Sequence, residues 1–302
     1  MRNDITQVRQ PSLEKFTQRD EDGTMYTVSL EIVLYTRKPK PELAEGAIAC
    51  YRLFLERFRP NLNWYLASSM RKARQFSEKY VDIFPTLCRK PDKEFPLPFY
   101  RVFHGSGIED YLPPVFATLS DDDDSCLQIH LPPGMATNWE ELLTLLAKLA
   151  EEFPFRYGHV GYSLCWNDMS VDRDIEVPTL IGPLLKRYPG FSLGNPFELC
   201  DQELPPINWL TLIGPELLGK LGGVNKVRKA FPDDAISVIP LGPGVCIRAG
   251  ETPQLGDRNR KDDLPLYRKV GSYLKNYRGR PEIELTGLDE EESEVWLARF
   301  DS

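Results

Sequence analysis

The chain has 302 residues, enough for one large domain or two small ones. A hydrophobic share of 41% and a charged share of 27% are those of an ordinary globular protein and exclude wholesale disorder. The net charge of −8, from 37 Lys and Arg against 45 Asp and Glu, opposes direct contact with nucleic acid or an anionic membrane and suits a basic protein partner.

Residues 1–24 are polar and without periodicity and are read as a flexible N-terminus. They contain no apolar signal-peptide core, and no run in the chain approaches the length of a membrane span, so a cytoplasmic protein is expected. The alternating run from Tyr26 to Tyr35 predicts a strand. From Glu42 to Phe58, the spacing of Ala47, Tyr51, Phe54, Leu55 and Phe58 predicts a helix, closed by Pro60. Short strands are expected at residues 63–68 and 100–103. Val115–Leu119 and Cys126–Leu131 flank the acidic run Asp121, Asp122, Asp123 and Asp124, which suits a hairpin with a charged tip. Thr137 and Glu140 have the spacing of a capping box, ahead of a helix whose stripe includes Leu142, Leu146 and Leu149. Arg156–Trp166 returns as a strand.

The second half predicts a short helix at Pro178–Arg187, a loop rich in Gly, Pro and Asn, a strand at Ile207–Ile213 and a short helix at Pro215–Leu221. A hairpin is expected from Ala235–Leu241 and Val245–Gly250 across Gly242-Pro243-Gly244. The charged loop Gly250–Asp263 follows, holding Glu251, Asp257, Arg258, Arg260, Lys261, Asp262 and Asp263. A connection this long inside a folded chain is usually functional or disordered, and strong structure on both sides favours an ordered binding loop. Asp263 is the expected N-cap of a last helix that Gly279 and Pro281 stop, and Trp296 and Phe300 predict that the acidic tail docks back. The order is no repeated strand–helix–strand rhythm, so an α+β fold is expected, with helices on mixed or mostly antiparallel sheets and two similar-looking halves.

Motifs that carry chemistry are scarce. Cys50, Cys88, Cys126, Cys165, Cys200 and Cys246 stand singly, which predicts buried reduced thiols rather than a disulfide framework or a zinc site. His130 and His159 lie in strand-like apolar runs and read as core histidines. His104 precedes Gly105-Ser106-Gly107, but the chain has no G-x-S-x-G elbow. The four consecutive aspartates lack the spaced oxygens and central glycine of a calcium loop and read as a solvated tip or a steering patch. Asp92 is followed by no strand bearing E-x-K, and the loop after Gly250 is no phosphate loop. Neither a cofactor nor a metal is expected.

Ile207-Asn208-Trp209-Leu210-Thr211, the Gly244–Asp257 stretch and Leu264-Pro265-Leu266-Tyr267 together resemble the type VI secretion immunity family called TsiV, formerly a domain of unknown function. The likeness spans roughly residues 25–280, and its C-terminal third is the specific part. It implies that residues 25–302 form an immunity domain, either single or as subdomains 25–167 and 168–302. It further implies a non-enzymatic cytoplasmic protein that binds and neutralises a cognate effector toxin, a basic nuclease of the restriction-endonuclease type. Acidic side chains suit such a partner, so Asp121, Asp122, Asp123, Asp124, Glu251, Asp257 and Asp262 are the candidate toxin contacts. The alternatives are a hydrolase or nuclease with a site around His104, Ser106 and Glu109, or a structural component of the secretion machinery.

Overall fold

A computed structural model describes residues 10–90, 96–121, 124–199, 206–232, 234–278 and 284–302. The first nine residues, residues 91–95, Asp122, Asp123, Cys200, Gly279 and Pro281 lie outside the described residues. The described strands are β1 Gln18–Asp20, β2 Gly23–Thr36, β3 Trp64–Ala67, β4 Arg74–Gln75, β5 Tyr100–His104, β6 Leu112–Asp121, β7 Asp124–Leu131, β8 Tyr157–Trp166, β9 Leu210–Ile213, β10 Ile236–Leu241 and β11 Gly244–Ala249. They join in one sheet of order β10-β11-β9-β8-β2-β7-β6-β5-β3-β4, with β1 beside β2. Every pairing between these strands is antiparallel. The class is α+β as expected, with a single antiparallel sheet in place of several. β2 and β8, both within residues 23–167, pair from Tyr26↔Trp166 to Tyr35↔Tyr157 at the middle of the sheet, and β8 pairs in turn with β9 of the second half.

The pleat sends alternate side chains to opposite faces. On one face Tyr100 and Phe116 meet Tyr51 of α1 (Lys40–Phe58) and Phe84 of α2 (Ile83–Arg89), with ring centroids 4.9–5.6 Å apart. The other face receives Glu31, Arg101, Gln128, His130 and His159, and α4 (Val171–Arg187) with the chain that follows it lies against them. Both faces of β2 are therefore covered.

Four helical details differ from the sequence reading. The helix α3 (Trp139–Glu152) is capped by Asn138, whose Oδ1 accepts from the Glu141 backbone at 3.4 Å and whose Nδ2 donates to the Glu141 carboxylate at 2.6 Å. Thr137 ends the preceding 3-10 turn and donates to Gly134 O, so the cap falls one residue later. The helix α4 begins at Val171, seven residues before Pro178, and carries Pro178 and Pro183 inside it; Asp172 and Asp174 in its first turn suit the positive end of the helix dipole. Between α5 (Pro215–Lys220) and β10, Val224–Ala230 forms a further helix, α6. Leu264, not Asp263, is the N-cap of α7 (Pro265–Leu274) and supplies no side-chain bond; Asp263 accepts instead from Leu264 N and from Arg268 Nε.

The tail docks as expected. The helix α8 (Glu290–Leu297) opens with a capping box of Asp289 and Glu292, and Trp296, Leu297 and Phe300 are buried, whereas Val295 is exposed. The five described cysteines are buried and unpaired. Burial pushes the thiols of Cys88 and Cys246 up to about 12, which keeps them protonated and inert.

Candidate functional site

The loop after β11 is ordered by its own contacts. The Trp209 indole donates to Gly250 O at 3.0 Å, and Gly250 itself has φ +92°, a conformation open to glycine at little cost. Arg248 lies 3.8 Å from the Trp139 ring centroid and donates to Glu251 O at 2.5 Å. Gln254 N donates to the Tyr267 hydroxyl at 2.9 Å, Gly190 N donates to Leu255 O at 2.9 Å, and Leu255 is fully buried. These bonds tie the loop to β9, α3, α7 and the chain after α4.

The acidic residues of the loop differ in what they face. Asp257 is buried and holds Arg187 through two bonds of 3.0 and 2.9 Å, while accepting from Asn259 N at 3.0 Å. The Arg187 bond brings its carboxyl below the ordinary value against the opposing effect of burial. Asp262 pairs with Arg260 at 2.6 Å. Glu251 is exposed, and its carboxylate makes no hydrogen bond or ion pair among the described residues.

At the acidic hairpin, Asp121 and Asp124 are cross-strand partners and Asp124 pairs with Arg37 at 2.6 Å. Asp122 and Asp123 are outside the described residues, as is the side chain of Asp121. The register separates this tip from the loop. Ser125 faces Thr36, Tyr35 faces Tyr157, Tyr157 faces Ile213 and Ile213 faces Val245, so the tip shares a sheet end with the start of β11. Glu251 follows the opposite end of β11. The fold does not bring the two acidic groups together.

The buried polar face was not foreseen. Glu31 Oε1 accepts from Gln128 at 2.7 Å, and Oε2 accepts from the Ser192 hydroxyl at 2.6 Å and faces His159 Nε2 at 3.3 Å. His159 Nε2 also lies 2.7 Å from Ser192 Oγ. Because the serine proton points to Glu31, the hydrogen must sit on His159 Nε2, which leaves that nitrogen unable to act as a base toward Ser192. All three side chains are within 1% of full burial. Burial pushes the Glu31 carboxyl upward, but the His159 bond, the fields of His130 and His159 and the Ser192 hydroxyl outweigh it and hold it at about 2. Burial pushes His130 down against the upward pull of Glu31, and its Nδ1 lies 2.8 Å from Ser29 Oγ.

The proposed centre at His104, Ser106 and Glu109 is not assembled. His104 Nδ1 faces Asn63 Oδ1 at 2.7 Å and Asn61 O at 2.8 Å, Ser106 donates to Asp110, and no hydrogen bond joins His104 to Ser106. Among the described residues, no group of three or more His, Cys, Asp or Glu is placed to hold a metal, and no helix is long and apolar enough to cross a membrane.

The sequence model of the TsiV family, described as type VI immunity for VRR-NUC, matches residues 47–300. No curated protein matches the chain. Among solved structures, the Pseudomonas aeruginosa T6SS protein PA0821 has the same fold, with a TM-score of 0.79 and 19% identity over 95% of this chain and 87% of that one. The family match runs from within α1 to the docked tail and includes the hairpin, the charged loop and α7. The chain belongs to the TsiV family, type VI immunity for VRR-NUC.

Proposed function

We propose that the chain binds a VRR-NUC nuclease effector and neutralises it by protein–protein contact, without chemistry of its own. The observation that carries this reading is the family match over residues 47–300. The buried Ser192, His159 and Glu31 support its non-enzymatic part. They sit out of reach of any substrate, and the tautomer removes the base that a serine nucleophile needs. The unassembled His104 and Ser106 support it too. The chain is read as acting in the cytoplasm, where such an effector meets DNA.

A nuclease grips phosphate with Lys and Arg, so an acidic surface attracts it at long range. Glu251 and Asp262 on the loop and Asp121–Asp124 at the hairpin tip are proposed as two separate acidic contact zones. Asp257 is assigned a positioning role, because it is buried and two bonds from Arg187 hold its carboxylate. Rim charges govern association more than residence, so reversing them slows binding and flattens its dependence on salt. The variants Glu251→Lys with Asp262→Lys, and Asp121→Lys with Asp124→Lys, test the two zones separately. Each is expected to slow association several-fold at low salt in surface plasmon resonance. Unchanged association by the combined variant would remove the acidic zones from the interface and leave the family-level function standing.

A further inference from the structure

The helix α4 is apolar on both its inner and its outer face. Val177, Ile181 and Leu185 recur every four residues and are fully buried, where the helix lies against β2 and β8. On the outside, Ile175, Thr179 and Pro183 follow one another at the same spacing with Leu180 beside them, and all four are exposed. Ile175 is 70% exposed and Leu180 37%. Among the described residues four large apolar side chains are exposed, and three of them, Met169, Ile175 and Leu180, lie on α4 or in the turn that enters it. A single exposed apolar side chain is ordinary, but a group of them on one helix face with a polar rim marks an interaction surface.

Charge selects the partner. Every cation of α4 is already held: Arg173 by Asp20, with one bond of 2.8 Å, Lys186 by Glu292 at 2.5 Å and Arg187 by Asp257 at 2.9 Å. Asp172, Asp174 and Glu176 are exposed and have no ion pair among the described residues. Pro183 has no N–H, so Thr179 O lacks the donor that a helix supplies four residues on, and the outer row offers an acceptor as well. Uncompensated carboxylates around an apolar row suit a partner rich in Lys and Arg. A second copy docking face to face would set these carboxylates against themselves, and an anionic membrane would repel them.

The face is continuous with the charged loop. Arg187 at the end of α4 holds Asp257, Arg260 lies 3.8 Å from the same carboxylate, and Asp262 pairs with Arg260 at 2.6 Å. Resting on the effector-binding reading, we propose that the outer face of α4 is the anchor of the effector interface. Ile175 and Leu180 pack against apolar surface of the basic nuclease, Asp172 and Glu176 pair with cations at its rim, and Asp262 extends the same contact onto the loop. Apolar side chains desolvated at the centre of an interface carry most of its affinity, and the charges around them set the rate of encounter.

The test measures binding of the full chain to the purified VRR-NUC effector by surface plasmon resonance. Ile175→Arg is expected to raise Kd about tenfold or more, chiefly through faster dissociation, and Asp172→Lys with Glu176→Lys to slow association several-fold. Glu56→Arg, on the exposed side of α1 across the sheet, is the control and is expected to keep the original affinity. All the changed side chains are exposed, so circular dichroism is expected to show each variant folded. Hydrogen exchange of the unsubstituted pair gives a second readout that needs no variant, with amides of residues 172–182 slowed in the complex. Unchanged affinity of Ile175→Arg, equal weakening by Glu56→Arg, or unchanged exchange along α4 would overturn the assignment while effector binding itself stands. Absence of any complex with the unsubstituted chain would overturn the effector-binding reading and this surface together. A dimer of the chain alone that Ile175→Arg dissociates would give the face to a second copy and overturn the assignment as well.

Discussion

Glu31 shows what a single buried charge does for this fold. It sits at the middle of the sheet with Gln128, His159 and Ser192 around its carboxylate. Removing one member of such a buried charged group leaves the others without compensation, which typically costs about 3–5 kcal/mol. Glu31→Gln is therefore expected to lower unfolding stability by roughly that amount in urea titrations at neutral pH. The pH dependence has a definite sign. The folded carboxyl titrates at about 2 and the unfolded one near 4.5, so its contribution is complete above pH 4.5 and is lost as pH falls toward 2. His130, depressed by burial, adds to the acid loss from about pH 6.5 downward. In Glu31→Gln the loss between pH 4.5 and 2 should shrink, with the part owed to other depressed carboxyls such as Asp257 remaining; an unchanged acid profile would contradict the assignment. The alternation of Tyr26–Tyr35 revealed the strand but not this burial. Alternation marks one polar face, and only the tertiary covering by α4 and Ser192 turns that face inward.

The elements were legible where local patterns govern and blurred where tertiary contact does. The β10–β11 hairpin and the stripe of α3 follow directly from local spacing. The start of α4 did not, because Pro178 reads as a helix beginning and here lies inside the helix. The last helix offers a test of packing at this scale. Gly271 of α7 lies against the backbone carbonyl of Phe300, and a Cβ at 271 would collide with that carbonyl. Replacing a helical glycine with alanine ordinarily stabilises by about 0.5–1 kcal/mol. Here Gly271→Ala is expected to destabilise by about 1–3 kcal/mol, because the docked tail must move. Differential scanning calorimetry decides the sign, and an increase in Tm would show that the tail does not press on α7. The same helix anchors the charged loop through the Tyr267 hydroxyl, so the tail, α7 and the loop form one connected support.

At the scale of the whole molecule, the sheet distributes the acidic residues instead of gathering them. Sequence proximity suggested a charged loop and a charged tip, and register alone shows that they leave opposite ends of the sheet. That separation was invisible in the sequence, since it depends on how β2, β7, β8, β9 and β11 align. The outer face of α4 was equally hidden, because a helix read from Pro178 leaves Asp172, Ile175 and Glu176 outside it. The resemblance carried by the C-terminal third did identify the family, and the match over residues 47–300 bears it out. Much of that signature has an architectural reason, with Trp209, Gly250, Leu255, Asp257 and Tyr267 all building the loop. The central claim is inhibition by binding. Its most direct measurement is DNA cleavage by the purified VRR-NUC effector while this chain is added in increasing ratio, with complex formation followed in the same samples. The account predicts a stable complex and loss of cleavage near stoichiometric addition; full cleavage in the presence of excess chain would contradict it.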